Sequence, residues 1–260
     1  MTGRQERSDR GFDSDHELAA RLATEAGELL LAVRTELAVA TVAERKSAGD
    51  KRSHDFLMTA LAERRPDDAV LSEEASEEDR ANSVRLSARR VWIVDPLDGT
   101  REFSELGRDD WAVHVALWES GELAAGAVAL PAQGVTLATP NVAAPPAAPA
   151  TPRIVVSRTR PPAVALAVRD ALSGTLVKMG SAGAKVASVV QGVADVYVHA
   201  GGQYEWDSAA PVAVARAAGL YTSRIDGSPL LYNRADPLLP DLIVCRPELA
   251  DAVLAVTASH

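Results

Sequence analysis

Cysteine is almost absent from this chain of 260 residues: Cys245 is the only one. A lone thiol forms no internal disulfide, which suits a reducing cytosol. Long apolar runs are absent as well. Hydrophobic residues make up 47% of the chain, yet no run reaches the length that spans a bilayer. A soluble globular protein with no membrane partner is therefore expected. The opening residues, Met1 to Arg7, are polar and hold no apolar stretch of the secretory kind, so a cytoplasmic location is expected. Excess positive charge is missing too. The formal net charge is −9, whereas proteins that bind polynucleotides show a basic face, so no nucleic-acid polymer is expected as a partner. His16, His54, His114 and His260 show no metal-ligand spacing, and no internal repeat is evident. An acidic protein that handles an anion must gather local positive charge from bound cations and a few Lys or Arg residues.

What the chain does have is concentrated in one stretch. Val91-Trp92-Ile93-Val94 is apolar, β-branched or aromatic, and reads as a buried strand. Pro96 is expected to end it, because proline cannot donate to a sheet ladder. Asp95 and Asp98 follow on the turn, then Gly99 and Thr100. Glycine lets backbone approach a ligand closely, and free N–H groups at a turn can hold an anion. Two carboxylates beside an anion site make sense when a hard cation lies between them and a phosphate. An acidic surface turn is the plainer alternative.

The rest of the chain can be read in order. Residues 1–13 are polar and are expected to be disordered. Ser14 with Glu17 reads as a capping box. It opens an amphipathic helix marked by Leu18, Leu22, Ala26, Leu29, Leu30, Val33 and Leu37. Residues 43–53 are polar, charged and glycine-containing, and read as a loop. His54 to Arg65 reads as a helix stopped by Pro66. A short apolar stretch at Val70-Leu71 delivers Glu73 and Glu74. Strands are expected through Trp111–Leu117, Leu123–Leu130 and Val135–Thr139. The Ala/Pro-rich segment 140–152 reads as a linker between an N-terminal lobe (14–139) and a C-terminal lobe (153–260). In the second lobe strands and helices alternate, which indicates α/β architecture. There, Ser208 to Ala218 reads as a helix ended by Gly219. Asp207 before it could be a plain helix N-cap.

The motifs carry a resemblance. Asp95-Pro96-Leu97-Asp98-Gly99-Thr100 resembles the D-P-[IL]-D-G-T signature of the inositol monophosphatase superfamily of metal-dependent phosphatases. Leu71-Ser72-Glu73-Glu74 resembles its upstream G/S-E-E element, and Glu205-Trp206-Asp207-Ser208-Ala209-Ala210 its downstream W-D-x-A-A element. The three occur in the family's order, and the likeness runs from about Leu18 to Val244. Ser72, Arg101-Glu102-Phe103 and Glu205 are most similar to the CysQ-type branch, the 3'-phosphoadenosine 5'-phosphate phosphatases.

The resemblance implies a layered α-β-α-β-α sandwich, of the inositol monophosphatase and fructose-1,6-bisphosphatase type, with the site where the lobes meet. It also implies two or three Mg²⁺ ions. Glu73, Asp95 and the Leu97 carbonyl would bind the first, and Asp95, Asp98 and Asp207 the second. A weaker third would sit near Glu73, with Glu74 solvated. Two such ions about 3.5–4 Å apart hold the attacking and leaving oxygens of a phosphoryl displacement. Catalytic roles fall to Glu73, Thr100 and Asp50. Asp50 matches the family's mobile-loop aspartate, although Lys46-Ser47-Ala48-Gly49-Asp50 departs from its usual Val-Thr-x-Ala-Asp. Substrate contacts fall to Gly99, Thr100, Arg101, Arg160, Ser181, Lys185 and Asp207, with Tyr204 and Trp206 as a wall. Ser157-Arg158-Thr159-Arg160 would add positive charge, while His199 stands where the nucleotidases usually carry Arg.

The implied activity is removal of the 3'-phosphate from 3'-phosphoadenosine 5'-phosphate, with sensitivity to Li⁺ and a homodimer as a candidate assembly. Alternatives are an inositol-1-phosphate or fructose-1,6-bisphosphate phosphatase. From another class, a non-catalytic cation-binding regulator on the same fold is a further alternative.

Overall fold

The structure is a computed structural model that describes residues 13–258 apart from Ala81. The expected disorder of residues 1–13 therefore lies outside the described residues, except at Asp13, and so does His260. Helix α1 (Asp15–Glu36) opens on the expected capping box. Ser14 N–H donates to the Glu17 carboxylate at 2.8 Å, and Glu17 N–H donates to the Ser14 hydroxyl at 3.2 Å.

Residues 43–53 are not a loop. They form the first half of α2 (Val42–Arg64). Thr41 and Glu44 make a second reciprocal capping box, and no proline interrupts the Ala, Glu, Arg and Lys that follow, all good helix formers apart from the charge they carry. Gly49, which suggested a break, serves packing instead. A Cβ there would lie 2.7 Å from Phe103 Cε1 and 2.8 Å from Leu97 Cδ2.

The chain continues through β1 (Ala69–Ser72), α3 (Glu77–Arg80), α4 (Ser83–Ser87), β2 (Arg90–Asp98), α5 (Thr100–Ser104), β3 (Ala112–Glu119), β4 (Glu122–Leu130) and β5 (Val135–Ala138). These five strands form one sheet in sequence order, with β1 parallel to β2 and the other pairs antiparallel. Residues 139–152 hold no helix or strand. Then come β6 (Arg153–Ser157), α6 (Ala163–Ala171), β7 (Thr175–Met179), α7 (Ala182–Val190), β8 (Val196–Ala200), α8 (Glu205–Ala217), β9 (Tyr221–Ser223), β10 (Asp241–Cys245) and α9 (Ala250–Thr257). The second sheet has the order β7-β6-β8-β10-β9.

Three cores define five layers. Leu18, Leu22, Leu30 and Leu57 of α1 and α2 pack on Trp92, Val94, Val113 and Val115 of the first sheet. The opposite face of that sheet, with Val91, Ile93, Ala112 and Ala116, shares a core with α7, α8 and strands β6, β8 and β10. Helices α6 and α9 cover the far side of the second sheet through Val164, Val168 and Val253. The order α-β-α-β-α is the expected sandwich.

Pro96 does not end β2, which runs on to Asp98. The pairing with β3 shifts register there: Asp95 faces His114, and Asp98 faces Ala112. Proline is tolerated at such an irregularity. The Pro96 carbonyl still finds a partner, the Ser53 hydroxyl of α2, at 2.6 Å.

Candidate metal-binding active site

Strand parity sets the site. Val91 and Ile93 point toward α7 and α8, and alternation puts Asp95 on the same face. The shift at Pro96-Leu97 returns Asp98 to that face. Asp207, in the first turn of α8, closes the group from above. One carboxylate oxygen from each of Asp95, Asp98 and Asp207 lies within 4.8 Å of the others. Glu73, just past β1, shares a hydrogen bond with Asp95, and its N–H donates to the Val94 carbonyl at 3.3 Å. Asp207 is not an N-cap. It sits inside α8, and its carboxylate accepts the Tyr204 N–H at 2.7 Å.

This crowding is electrostatically costly. Burial, then the charges of Glu73 and Asp98, raise Asp95 well above the carboxylate range. Burial pushes Glu73 up to about 7 and Asp207 up to about 6, with neighbouring carboxylates adding to both. An all-oxygen donor set that resists ionisation by itself fits a hard divalent cation, which favours the charged form of every member.

Asp98 behaves differently. Burial favours its neutral form, but His114, Ser181 and Gly183 hold it down to about 2. Its Oδ2 accepts the Ser181 hydroxyl at 2.5 Å and the Gly183 N–H, and its Oδ1 accepts the Ala182 N–H at 3.1 Å. These donors form the N-terminal turn of α7, where unpaired N–H groups favour an anion. Ser181 holds this turn at φ 30°, inside the left-handed region, while its hydroxyl also accepts the Ala184 N–H at 3.0 Å.

Thr100 starts α5 after Gly99, whose φ of 84° suits glycine. The Thr100 hydroxyl is shared between Asp50, at 3.1 Å, and the Leu97 carbonyl, at 3.2 Å. Leu97 N–H in turn donates to Asp95 at 3.0 Å. Burial pushes Asp50 up to about 6 against the opposing Thr100 bond. Arg45, buried in α2, braces this corner by donating to the Ser104 carbonyl at 3.1 Å.

The expected substrate residues divide. Arg101 is exposed and pairs with Glu105. Arg158 is held by Glu102 at 2.7 Å and Glu105 at 2.8 Å, which removes it as free positive charge. Lys185 is buried, and its ammonium donates to the Gly180 and Ser181 carbonyls at 2.7 and 2.6 Å. It nonetheless lines a cleft of about 570 Å³ together with Arg160, His199 and Gln203. Trp206 belongs to the core, beneath Tyr204 at 4.8 Å and Arg80 at 4.8 Å. Only the outer face of Tyr204 can therefore serve as a wall. Glu205 is a structural carboxylate, accepting the Asn233 and Arg234 N–H groups at 2.6 and 2.7 Å.

His114, set aside in the sequence for want of a partner at metal-ligand spacing, lies against the carboxylates. It is fully buried, with Nδ1 3.0 Å from the Trp206 carbonyl and Nε2 3.2 Å from Asp98 Oδ2. The signal was its place between Ala112 and Ala116, on the face of β3 that also carries Asp95 across the ladder.

Comparison with known proteins gives the family and the fold. The model of the inositol monophosphatase family fits residues 13–143 and 149–259. A Mycobacterium tuberculosis protein named 3'-phosphoadenosine 5'-phosphate phosphatase is 52% identical over 243 residues, 90% of each chain. The Escherichia coli protein named 3'(2'),5'-bisphosphate nucleotidase CysQ is 32% identical over 204 residues, 74% of this chain and 81% of its own. The crystal structure of inositol monophosphatase-II from Staphylococcus aureus superposes with a TM-score of 0.77 over 94% of this chain and 92% of its own, at 20% identity. That last likeness concerns the fold alone.

Proposed function

The chain belongs to the inositol monophosphatase family, and from that premise we propose that it is a Mg²⁺-dependent hydrolase that removes the 3'-phosphate of 3'-phosphoadenosine 5'-phosphate, releasing AMP and phosphate. Such a reaction recycles a by-product of sulfotransfer and serves sulfate assimilation. The relatives that are about half identical carry the name of this activity. The observation that carries the chemistry is the convergence of Asp95, Asp98 and Asp207 beside the Thr100–Asp50 pair.

In this reading Glu73, Asp95, the Leu97 carbonyl, Asp98 and Asp207 hold the cations. When bound, Mg²⁺ makes a water nucleophilic at neutral pH and offsets charge on the phosphate. Thr100 orients the attacking water through its hydroxyl, and Asp50 takes the proton that the water gives up. Gly99 and Thr100 present backbone to the reacting phosphate. Arg160 and Lys185, which line one cleft, form the anion site for the 5'-phosphate; Ser181, expected there, instead gives its hydroxyl proton to Asp98. Two N–H bonds of the Lys185 ammonium are committed to carbonyls, and the third serves the cleft. The division into lobes 14–139 and 153–260 belongs to the same reading, with nucleotide determinants drawn from the second.

A substrate panel tests the proposal. Purified protein with Mg²⁺ is expected to release phosphate from 3'-phosphoadenosine 5'-phosphate faster than from inositol-1-phosphate or fructose-1,6-bisphosphate, with AMP as the product. Preference for inositol-1-phosphate would overturn the nucleotidase assignment. No release from any of the three would favour a non-catalytic cation binder.

A further inference from the structure

We propose that His114 is a positioning residue for Asp98, fixing that carboxylate for a divalent cation held between Asp95, Asp98 and Asp207. This inference rests on the reading of those carboxylates as a cation site.

A buried imidazole between two alanines of a β-strand needs a reason, since an apolar side chain there would leave no polar atom to satisfy. The ring is anchored at one end. A carbonyl only accepts, so Nδ1 carries the proton given to the Trp206 carbonyl at 3.0 Å. Trp206 immediately precedes Asp207, so the ring is referenced to the helix that carries the third carboxylate. At the other end Nε2 stands 3.2 Å from Asp98 Oδ2 and makes no straight hydrogen bond to any described residue. Nδ1 also lies 3.9 Å from Asp95 Oδ2. The imidazole thus spans from α8 to the end of β2 and touches two of the three carboxylates.

An independent observation comes from α7. A Cβ on Gly183 would stand 2.0 Å from His114 Nε2 and 3.0 Å from Asp98 Oδ2. A side chain there would push the turn away from both. Glycine at this point lets the α7 turn close on Asp98 with the ring in place. Asp98 Oδ2 is then surrounded by Ser181, Gly183 and His114, while Oδ1, among the described residues, takes only the Ala182 N–H. Oδ1 is left as the less occupied oxygen, and its direction is set by the crowding of its partner. Partners behind a metal ligand orient it in this way.

Mn²⁺ titrated calorimetrically into metal-free protein reads the site without turnover. His114→Leu keeps approximate volume without nitrogen, and His114→Gln keeps a donor within reach. The Leu variant is expected to bind Mn²⁺ about 10–100-fold more weakly than wild type, with Gln between them. The half-activating Mg²⁺ concentration should rise in parallel, while KM for substrate at saturating Mg²⁺ moves little. Unchanged Mn²⁺ affinity in His114→Leu overturns the proposal. If that variant does not fold, His114→Asn, too short to span from the Trp206 carbonyl to Asp98, replaces it: weakened Mn²⁺ binding supports the proposal and unchanged binding overturns it. Wild-type protein that binds no Mn²⁺ would instead sink the cation-site reading itself, which separates the two failures.

Discussion

Thr100 and Asp50 meet side chain to side chain at 3.1 Å, joining the start of α5 to the middle of α2. The contact brings a hydroxyl on the turn after β2 against a carboxyl pushed up to about 6 by burial. A carboxyl with that pKa is charged and able to accept a proton only above about pH 6. The kcat/KM profile is therefore expected to fall on the acid side with a midpoint near 6. Asp50→Asn should lower kcat by about 100-fold or more, leave KM nearly unchanged, and flatten that limb. A full-strength acid limb in the Asn variant would assign it to another group.

Asp95 and Asp98 should respond oppositely to the same substitution. Asp95 is raised by burial and by its carboxylate neighbours, so Asp95→Asn relieves repulsion and should raise the melting temperature of the metal-free protein. Asp98 accepts from Ser181, Ala182 and Gly183. An amide in its place turns an N–H toward one of those donors, and Asp98→Asn should cost about 1.5–3 kcal/mol of stability. Both variants should lose nearly all turnover. Thermal melts in chelator, beside phosphate release at saturating Mg²⁺, check the pair. Equal melting shifts would contradict the contrast.

Stability without metal should fall as pH rises. Glu73 at about 7 and Asp207 at about 6 hold protons in the folded state that the unfolded chain releases near pH 4. Between about pH 4 and 7 the folded state therefore binds more protons than the unfolded one, and raising pH through that window weakens folding. The melting temperature in chelator should drop from pH 5 to pH 8. Saturating Mg²⁺ should remove the slope, because ionised carboxylates then have a partner. A slope that Mg²⁺ leaves unchanged would place its origin outside the cluster.

Lys185 separates substrate recognition from architecture. If its third N–H serves the second phosphate, as proposed, Lys185→Ala lowers kcat/KM for 3'-phosphoadenosine 5'-phosphate by roughly ten- to a hundredfold. Inositol-1-phosphate, which has no second phosphate, should lose much less. Equal losses would mean that Lys185 acts as the brace of the Gly180-Ser181 carbonyls alone.

The site residues that were legible in the sequence stand in local patterns. Asp95 and Asp98 end the apolar strand β2 with Thr100 just beyond it, and Asp207 follows Trp206, so each stands out in its own short segment. Where the reading failed, a contact distant in sequence decided the outcome. Gly49 looks like a helix breaker until Phe103 and Leu97 fill the space against it. Pro96 looks like a strand end until the register against β3 shifts to admit it. Arg158 looks free until Glu102, far upstream, takes it at 2.7 Å. His114 had no local signal beyond its face of the strand, because its partners come from β2, α7 and α8. Strand β9, three residues long, pairs only through β10 and left no periodicity to read.

The middle layer has a consequence for how the chain comes apart. Helices α7 and α8 are encoded after the Ala/Pro-rich segment, yet they bury one face against the first sheet and share its core. A protease that cuts within residues 140–152 would sever the backbone without separating the pieces, since each piece holds surface that the other must cover. The nicked protein should migrate as one particle until denaturant is added. Co-expression of the two fragments, rather than expression of either by itself, is the route by which such halves would regain a folded state.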